Sequence, residues 1–293
     1  MPSTRDIRRR IKSVSSTAQI TKAMQMVASS RMQKAQQGAL NFRPFAARAA
    51  ELMGHLAADD EDYRHPLMEV REEVHKRAVI LVSTDKGLCG ALNSNLFREV
   101  SKYDTASTQF IAVGKKAAQF LARTRRKLVA EFSYHDTPTF ADSQTISRFA
   151  QDLFLKGEVD AVDVLYTRFI NTLSQRVDVR ALLPLGTAAS LATEGRGEAG
   201  QEPAERPQID FLFEPNLPTV MDRLVIYFLD FRVGQMLLEA KASEHSARMV
   251  AMKNATDNAN QLIKDLTLEY NKLRQANITK ELLEISSAAM ALG

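Results

Sequence analysis

Lys86, Gly87, Leu88, Cys89 and Gly90 form the stretch of this 293-residue chain whose residue types most invite a chemical reading. In 78-AVILVSTDKGLCGALNSNLF-97 they follow an apolar, mostly β-branched run, and Asn93, an N-cap-like residue, precedes a helical-looking segment. Strand, glycine loop and helix together hold phosphates and other anions, because backbone N–H groups and the helix dipole converge on the charge. The spacing is neither G-x-x-x-x-G-K-[ST] nor G-x-G-x-x-G, so the pair of glycines is weak evidence for a nucleotide. The five histidines (His55, His65, His75, His135, His245) have no metal-ligand spacing with one another or with Cys89. No G-x-S-x-G occurs. No cofactor is expected, and as an enzyme on its own the chain has little to offer.

The elements that must position this loop are of two kinds. From Ile7 a series in alternating fours and threes reads Ile7, Ile11, Val14, Ala18, Thr21, Gln25, Ala28, Met32, Ala35, Ala39, Phe42, Ala46, Ala49, Met53 and Leu56; thirteen of the fifteen are apolar. A 3.5-residue period specifies a left-handed coiled-coil seam, and its many alanines call for a closely approaching partner helix. Pro44 is expected to bend the run. The C-terminal region repeats the signal at Met221, Leu224, Phe228, Phe231, Gln235, Leu238, Ala242, His245, Met249, Met252, Thr256, Ala259, Ile263, Leu266, Tyr270 and Leu273, after Pro218, a good helix-start residue. His245 on that seam reads as an interfacial polar residue rather than a ligand. At 1.5 Å per residue the two helices are about 75 and about 110 Å long, so one overhangs.

The seam's phase places the overhang. Beyond Leu273 it would demand Asn277, Lys280, Glu284 and Ser287, all polar, whereas the apolar set moves on by one residue to Ile278, Leu282, Ile285, Ala289 and Leu292. One residue is about 100° of rotation, so the tip turns away from the first partner. With Leu283, Ala288, Met290 and Ala291 the last turns are apolar nearly all round, and such an end must be enclosed by another protein.

Between the helices, strands are expected at 78–83, 110–113, 128–134, 161–169 and 175–185, with helices at 93–102, 115–123 and 143–156. That alternation argues for a small three-layer, Rossmann-like α/β domain with a largely parallel sheet, its last two strands forming a hairpin across 170-INTLS-174. The expected organisation is an N-terminal coiled-coil helix at 1–60, a central domain at 76–185, a mobile loop at 186–208 and a C-terminal helix at 216–293 pairing antiparallel with the first.

Composition sets the limits. The chain is 45% hydrophobic and 25% charged, ordinary for a water-exposed fold, and its single cysteine excludes an internal disulfide. The most apolar run, 224-LVIYFLDFRVGQMLL-238, is too short for a membrane span and carries Asp230 and Arg232, so membrane association is expected only through partners. The first twenty residues are Arg- and Ser-rich, as in a transit peptide, but the heptad phase beginning at Ile7 argues that they belong to the mature chain. Through Ala58 ten Lys/Arg stand against Asp6 and Glu51, while after Pro218 there are nine of each sign. The one-sided N-terminal charge points to an acidic partner. No aromatics interleave it, so single-strand stacking is unsupported. Two classes stay open on these residues: a nucleotide-dependent enzyme on the central domain, and a coiled-coil nucleic-acid-binding or scaffold protein.

The segments 20-ITKAMQMVASS-30, 83-STDKGLCGALN-93, 243-SEHSARMVAMKNATDNA-259 and 268-LEYNKLRQANITKELLEISSAAMA-291 resemble the gamma subunits of bacterial F-type, proton-translocating ATP synthases over nearly the whole chain. Departures are Ala91 and Ala288, where glycine is common, and Lys86, where arginine is common. No cysteine-bearing regulatory insert of the chloroplast type is present.

The resemblance implies a non-catalytic rotor shaft that couples proton flow to ATP synthesis or hydrolysis. Its coiled coil would stand inside a ring of three alpha and three beta subunits, with its Rossmann-like domain meeting the epsilon subunit and the c-subunit ring. It further implies a peripheral place on the cytoplasmic face of the bacterial inner membrane and no nucleic-acid partner. By motif, Met24 would pass the beta subunits, and Lys86, Gly87, Leu88 and Cys89 would meet an acidic beta loop with Cys89 positional. Arg274, Gln275, Thr279 and Glu281 would meet polar loops of the ring. Ile278, Leu282, Ile285, Ala289 and Leu292 would turn in an apolar sleeve.

Overall fold

In the computed structural model, residues 3–59, 65–71, 73–185, 214 and 216–292 are described. The segment 186–208, expected as a mobile loop, lies outside them, as do the side chains of Ala46, Met53, Leu56, Ala289 and Leu292. The elements are α1 (Thr4–Asp59), a 3-10 turn (Pro66–Met68), β1 (Arg77–Val82), α2 (Leu92–Val100), β2 (Thr108–Val113), α3 (Lys115–Arg123), β3 (Leu128–Phe132), α4 (Phe140–Leu155), β4 (Ala161–Phe169), β5 (Gln175–Leu183) and α5 (Leu217–Leu292). They cluster into two units, Met1–Ser29 with Arg248–Gly293, and Ser30–Ala247.

The larger unit is built on a five-stranded sheet in the order β3-β2-β1-β4-β5. β1, β2, β3 and β4 are parallel, and β5 returns antiparallel on β4 from Val162↔Leu183 to Phe169↔Gln175. Side chains alternate across a strand, so each apolar run feeds two cores. Val79 and Leu81 of β1, Phe110 and Ala112 of β2 and Leu165 of β4 meet Leu96 and Val100 of α2 and Ala117 and Leu121 of α3. Ala78, Ile80 and Val82 face the other way, toward Ile146 and Ala150 of α4 and Val225, Leu229, Val233 and Leu237 of α5. The opening stretch of α5 thus closes one face of the sheet. That explains why 224–238 is apolar on more than one side, as a helix packed between layers must be.

α4 starts at Phe140, three residues earlier than the apolar pattern places it. Thr139 accepts from the Asp142 backbone N–H while Asp142 accepts in return, a reciprocal cap that fixes the start. Pro44 lies inside α1, which continues through it. Still within this unit, α1 packs on α5 through Phe42 and Phe45 against Phe231, with ring centroids 5.9 Å apart in both pairs. A Cβ on Gly38 would come 3.1 Å from Leu238, and one on Gly234 would come 2.9 Å from Phe42, so glycine sets the close approach at both positions.

The smaller unit is a two-helix antiparallel coil. The Arg8 guanidinium donates to the Tyr270 hydroxyl at 2.6 Å, and Thr21 meets Thr256 at 2.7 Å, so residue numbers fall on one helix as they rise on the other. Ile7, Ala18 and Ala28 of α1 and Met252, Ala259 and Leu266 of α5 are buried. Across both units every seam position with a described side chain, from Ile7 to Ala49 and from Met221 to Leu273, is buried or half-buried.

Candidate interaction surface

The glycine loop sits at the C-terminal end of β1, in the β1–α2 connection, and the carboxyl ends of the strands are the usual binding position of an open α/β sheet. Its base is a set of polar struts. Thr84 donates to the Lys86 carbonyl at 2.9 Å, and Asn93 Nδ2 reaches Thr84 Oγ1 at 2.7 Å and Cys89 Sγ at 3.6 Å. Asn93 is therefore not the helix cap expected from sequence: Ala91 is the N-cap of α2, without a side-chain bond, and Asn93 is the second residue of the first turn. Its amide ties down the buried loop base instead.

Above that base Lys86, Gly87 and Leu88 are exposed and Cys89 is buried. Leu88, 61% exposed, is held at φ 63°, and Gly90 at φ 61°. Only Gly90 meets the left-handed conformation without strain, since a β-carbon there costs roughly 1–2 kcal/mol. A Cβ on Gly87 would touch nothing within 4 Å, so the fold does not itself require glycine there.

The anion at this end of the sheet is the chain's own. Asp85 Oδ1 accepts the backbone N–H of Lys115, the first residue of α3, at 3.0 Å. A carboxylate at a helix N-terminus satisfies an orphan donor and faces the positive end of the dipole. The other oxygen, Oδ2, lies 4.0 Å from Lys241 Nζ of α5. Lys241 is only 1% exposed. Its ammonium also lies 3.1 Å from Glu244 Oε2, 4.0 Å from Asp136 Oδ1 and 4.3 Å from the Tyr134 ring centroid. Tyr134 donates to the Ser83 carbonyl at 3.1 Å, and Arg31 of α1 pairs with Asp136. Burial, and then the carboxylates of Glu244, Asp85 and Asp136, push the Tyr134 hydroxyl well above its usual range, so it stays a donor. None of Arg31, Asp85, Asp136, Lys241 or Glu244 stood out in the sequence. Composition hid the last two: 239-EAKASEHSAR-248 is as polar as a solvent-exposed helix, and only its burial in the fold forces these charges to find partners.

The remaining expected residues belong to the coil unit. Met24 is half-buried on α1. Arg274, Gln275 and Glu281 are exposed, and Thr279 donates back to the Gln275 carbonyl at 2.9 Å. By the antiparallel pairing Met24 lies level with about residue 253, roughly 30 Å along the axis from Arg274, so these residues form no common site. Beyond Leu273 every residue with a described side chain is exposed. Ile278 is 48%, Leu282 62% and Ile285 67% exposed, and Leu283 and Met290 are exposed beside them. Arg5, Arg8, Arg9, Arg10, Lys12 and Lys22 are exposed along α1. The unit presents an apolar helix end and a basic flank, both suited to proteins. Among the described residues no helix is long and apolar enough to cross a membrane.

A family model described as ATP synthase matches residues 3–292. The chain is 48% identical over 295 residues to the ATP synthase gamma chain of Opitutus terrae, covering 99% of each chain. It is similar to a chain in the central stalk and c-ring structure of the Tetrahymena thermophila mitochondrial ATP synthase, at TM-score 0.61 and 25% identity, covering 80% of this chain and 99% of that one. A chain in the OSCP/F1/c-ring structure of the Euglena gracilis mitochondrial ATP synthase shares the fold at TM-score 0.67 and 19% identity, covering 99% and 94%.

Proposed function

The chain belongs to the gamma-chain family of ATP synthase, and from that premise we propose that its Lys86 loop, its coil and its apolar tip are the three places where a turning shaft meets its neighbours. It is the rotor shaft of the complex and a non-catalytic subunit; phosphate bonds are made and broken elsewhere. With no membrane-crossing helix among its described residues, it is peripheral to the membrane sector.

The finer assignments are those the family resemblance implies, and the exposed apolar tip and basic flank support them. The exposed tip at Ile278, Leu282 and Ile285 turns inside an apolar sleeve formed by a ring of three alpha and three beta subunits. Ala289 and Leu292 continue that set by sequence. Arg274, Gln275, Thr279 and Glu281 present polar groups to loops of the same ring, and Met24 passes the beta subunits. The loop of Lys86, Gly87, Leu88 and Cys89 meets acidic beta-subunit side chains. Cys89 is buried and bonded to Asn93, which suits a positional role. The α/β domain meets the epsilon subunit and the c-ring, on the cytoplasmic face of the bacterial inner membrane.

Coupling in this scheme is differential binding. A shaft that contacted all three catalytic sites equally would shift none of them, however tightly it bound. A single Lys86, presented by one exposed loop, supports unequal contact. Each charge-assisted contact is on the order of 1–3 kcal/mol, enough to bias one site and still be broken at the next step.

The observation carrying the reading is the apolar end of α5, exposed past Leu273 and out of phase with its own partner helix. The test is amide exchange over 278–290 before and after assembly with purified alpha and beta subunits. Strong protection on assembly is expected; a tip as labile in the complex as in the isolated chain would overturn the sleeve.

A further inference from the structure

We infer that Lys241 is a positioning residue that locks the Lys86 loop to helix α5, so that load taken at the loop passes into the helix. The inference rests on the proposed role of that loop, but its geometry is independent of it. One buried ammonium faces three carboxylates from three places in the chain: Glu244 on its own helix at 3.1 Å, Asp85 at 4.0 Å and Asp136 at 4.0 Å. Asp85 is the residue before Lys86, and it also holds the N-terminus of α3 through the Lys115 N–H. Asp136 follows β3 and is held from its other side by Arg31 of α1. Tyr134 lies under the ammonium and bonds the Ser83 carbonyl at the root of the loop.

The sequence order along the loop matters. Ser83 is tied through Tyr134, Thr84 through Asn93 and the Lys116 N–H, and Asp85 through Lys115 and Lys241. Three consecutive residues are thus fixed before the exposed Lys86 begins. Of these ties, the Asp85–Lys241 attraction is the one that reaches α5 directly by charge. The low-dielectric surroundings strengthen it relative to a surface pair, and the multiple carboxylates supply the partners that a buried ammonium demands. A lysine used only to fill space between helix and sheet would need no acid from the loop.

The test reads the loop and the coupling separately. Lys241→Met with Glu244→Gln removes both buried charges together, avoiding an orphaned carboxylate; Asp85→Asn keeps an oxygen for the Lys115 N–H and cuts only the charge link. In the isolated chain, amide exchange at Thr84, Lys115 and Lys116 is expected to rise about tenfold in the double variant, with β2 amides and helical circular dichroism unchanged. In the reconstituted complex, protons pumped per ATP hydrolysed should fall in both variants while assembly persists.

Unchanged exchange at these three amides in both variants overturns the inference. If the double variant unfolds, Asp85→Asn decides by the same two readouts. Should Thr84, Lys115 and Lys116 loosen while pumping per ATP stays at the parent value, Lys241 holds the loop but the loop bears no load; that outcome contradicts the role of the loop and leaves the lock standing.

Discussion

Thr21 and Thr256 face each other across the coil with their hydroxyl oxygens 2.7 Å apart, in a seam that is otherwise mostly apolar. Thr21 Oγ1 also lies 3.1 Å from the Ala18 carbonyl and Thr256 Oγ1 2.8 Å from that of Met252. Two protons serve three contacts: one hydroxyl donates across, and the other donates to its own backbone. A buried polar pair at one level of an alanine-rich seam penalises any slip that would set a lone hydroxyl against a methyl group. Thr21→Val or Thr256→Val is expected to cost about 0.5–1.5 kcal/mol, and the double replacement less than the sum. Thermal melts of the four species give the coupling energy; strict additivity would show that the pair does not act together.

Asp230 carries a pH signature. It is fully buried on α5, and no well-formed hydrogen bond reaches either carboxylate oxygen among the described residues, Ser147 and Gln144 offering only weak ones. Burial pushes its carboxyl above the ordinary value of 3.8, although Ser147, Gln144 and the charge of Arg148 on α4 pull the other way. A folded-state value raised above the unfolded one gives stability that is present below the unfolded value and lost as pH rises through the folded one. Asp230→Asn should therefore raise Tm at pH about 7 by about 2–4 °C, with the gain shrinking toward pH about 3–4. A gain that is constant with pH, or a loss at neutral pH, would show that the carboxylate is paired when ionised.

Leu88 holds strain at an exposed position. Leu88→Gly relieves the left-handed backbone and is expected to stabilise the isolated chain by about 1 kcal/mol. If the strained conformation serves to present the loop, the same variant lowers coupled turnover in the reconstituted complex. Improved stability with undiminished turnover would remove Leu88 from the contact.

Deleting 285–293 should leave the isolated chain's Tm and fractional helicity per residue unchanged, because the seam ends near Leu273 and Ile285 is exposed. The reconstituted complex should dissociate at lower temperature, having lost apolar burial worth about 25 cal/mol per Å². A truncated chain that melts early on its own would place these residues in its own core.

Much of this was legible in the sequence for one reason: periodic patterns are written locally. The 3.5-residue repeat located both seams, and its one-residue slip at Ile278 located the exposed end. The apolar runs located β1, β2 and β4, because a strand buried on both faces has little choice of residue, while the half-buried β3 and β5 showed as shorter or alternating patterns. What stayed hidden is long-range. Nothing near Lys241 reveals that its partners are Asp85 and Asp136, because charge pairing across more than a hundred residues leaves no local mark. Asn93 was misread because a cap and a strut use the same side chain. The early start of α4 was readable, since Thr139 and Asp142 have capping-box spacing, but an apolar count begins one turn late. Strain at Leu88 is a backbone angle that no residue type announces.

The central claim is that the chain turns while its partners do the chemistry, and rotation tests it most directly. Leu173, at the exposed turn between β4 and β5, accepts a cysteine for attachment of a bead, since Cys89 is buried and shielded from the label. In a complex reconstituted with surface-anchored alpha and beta subunits, ATP should drive the bead in one direction, while the purified chain by itself hydrolyses no ATP. A bead that stays fixed during rapid ATP turnover, or hydrolysis by the isolated chain, would contradict the account.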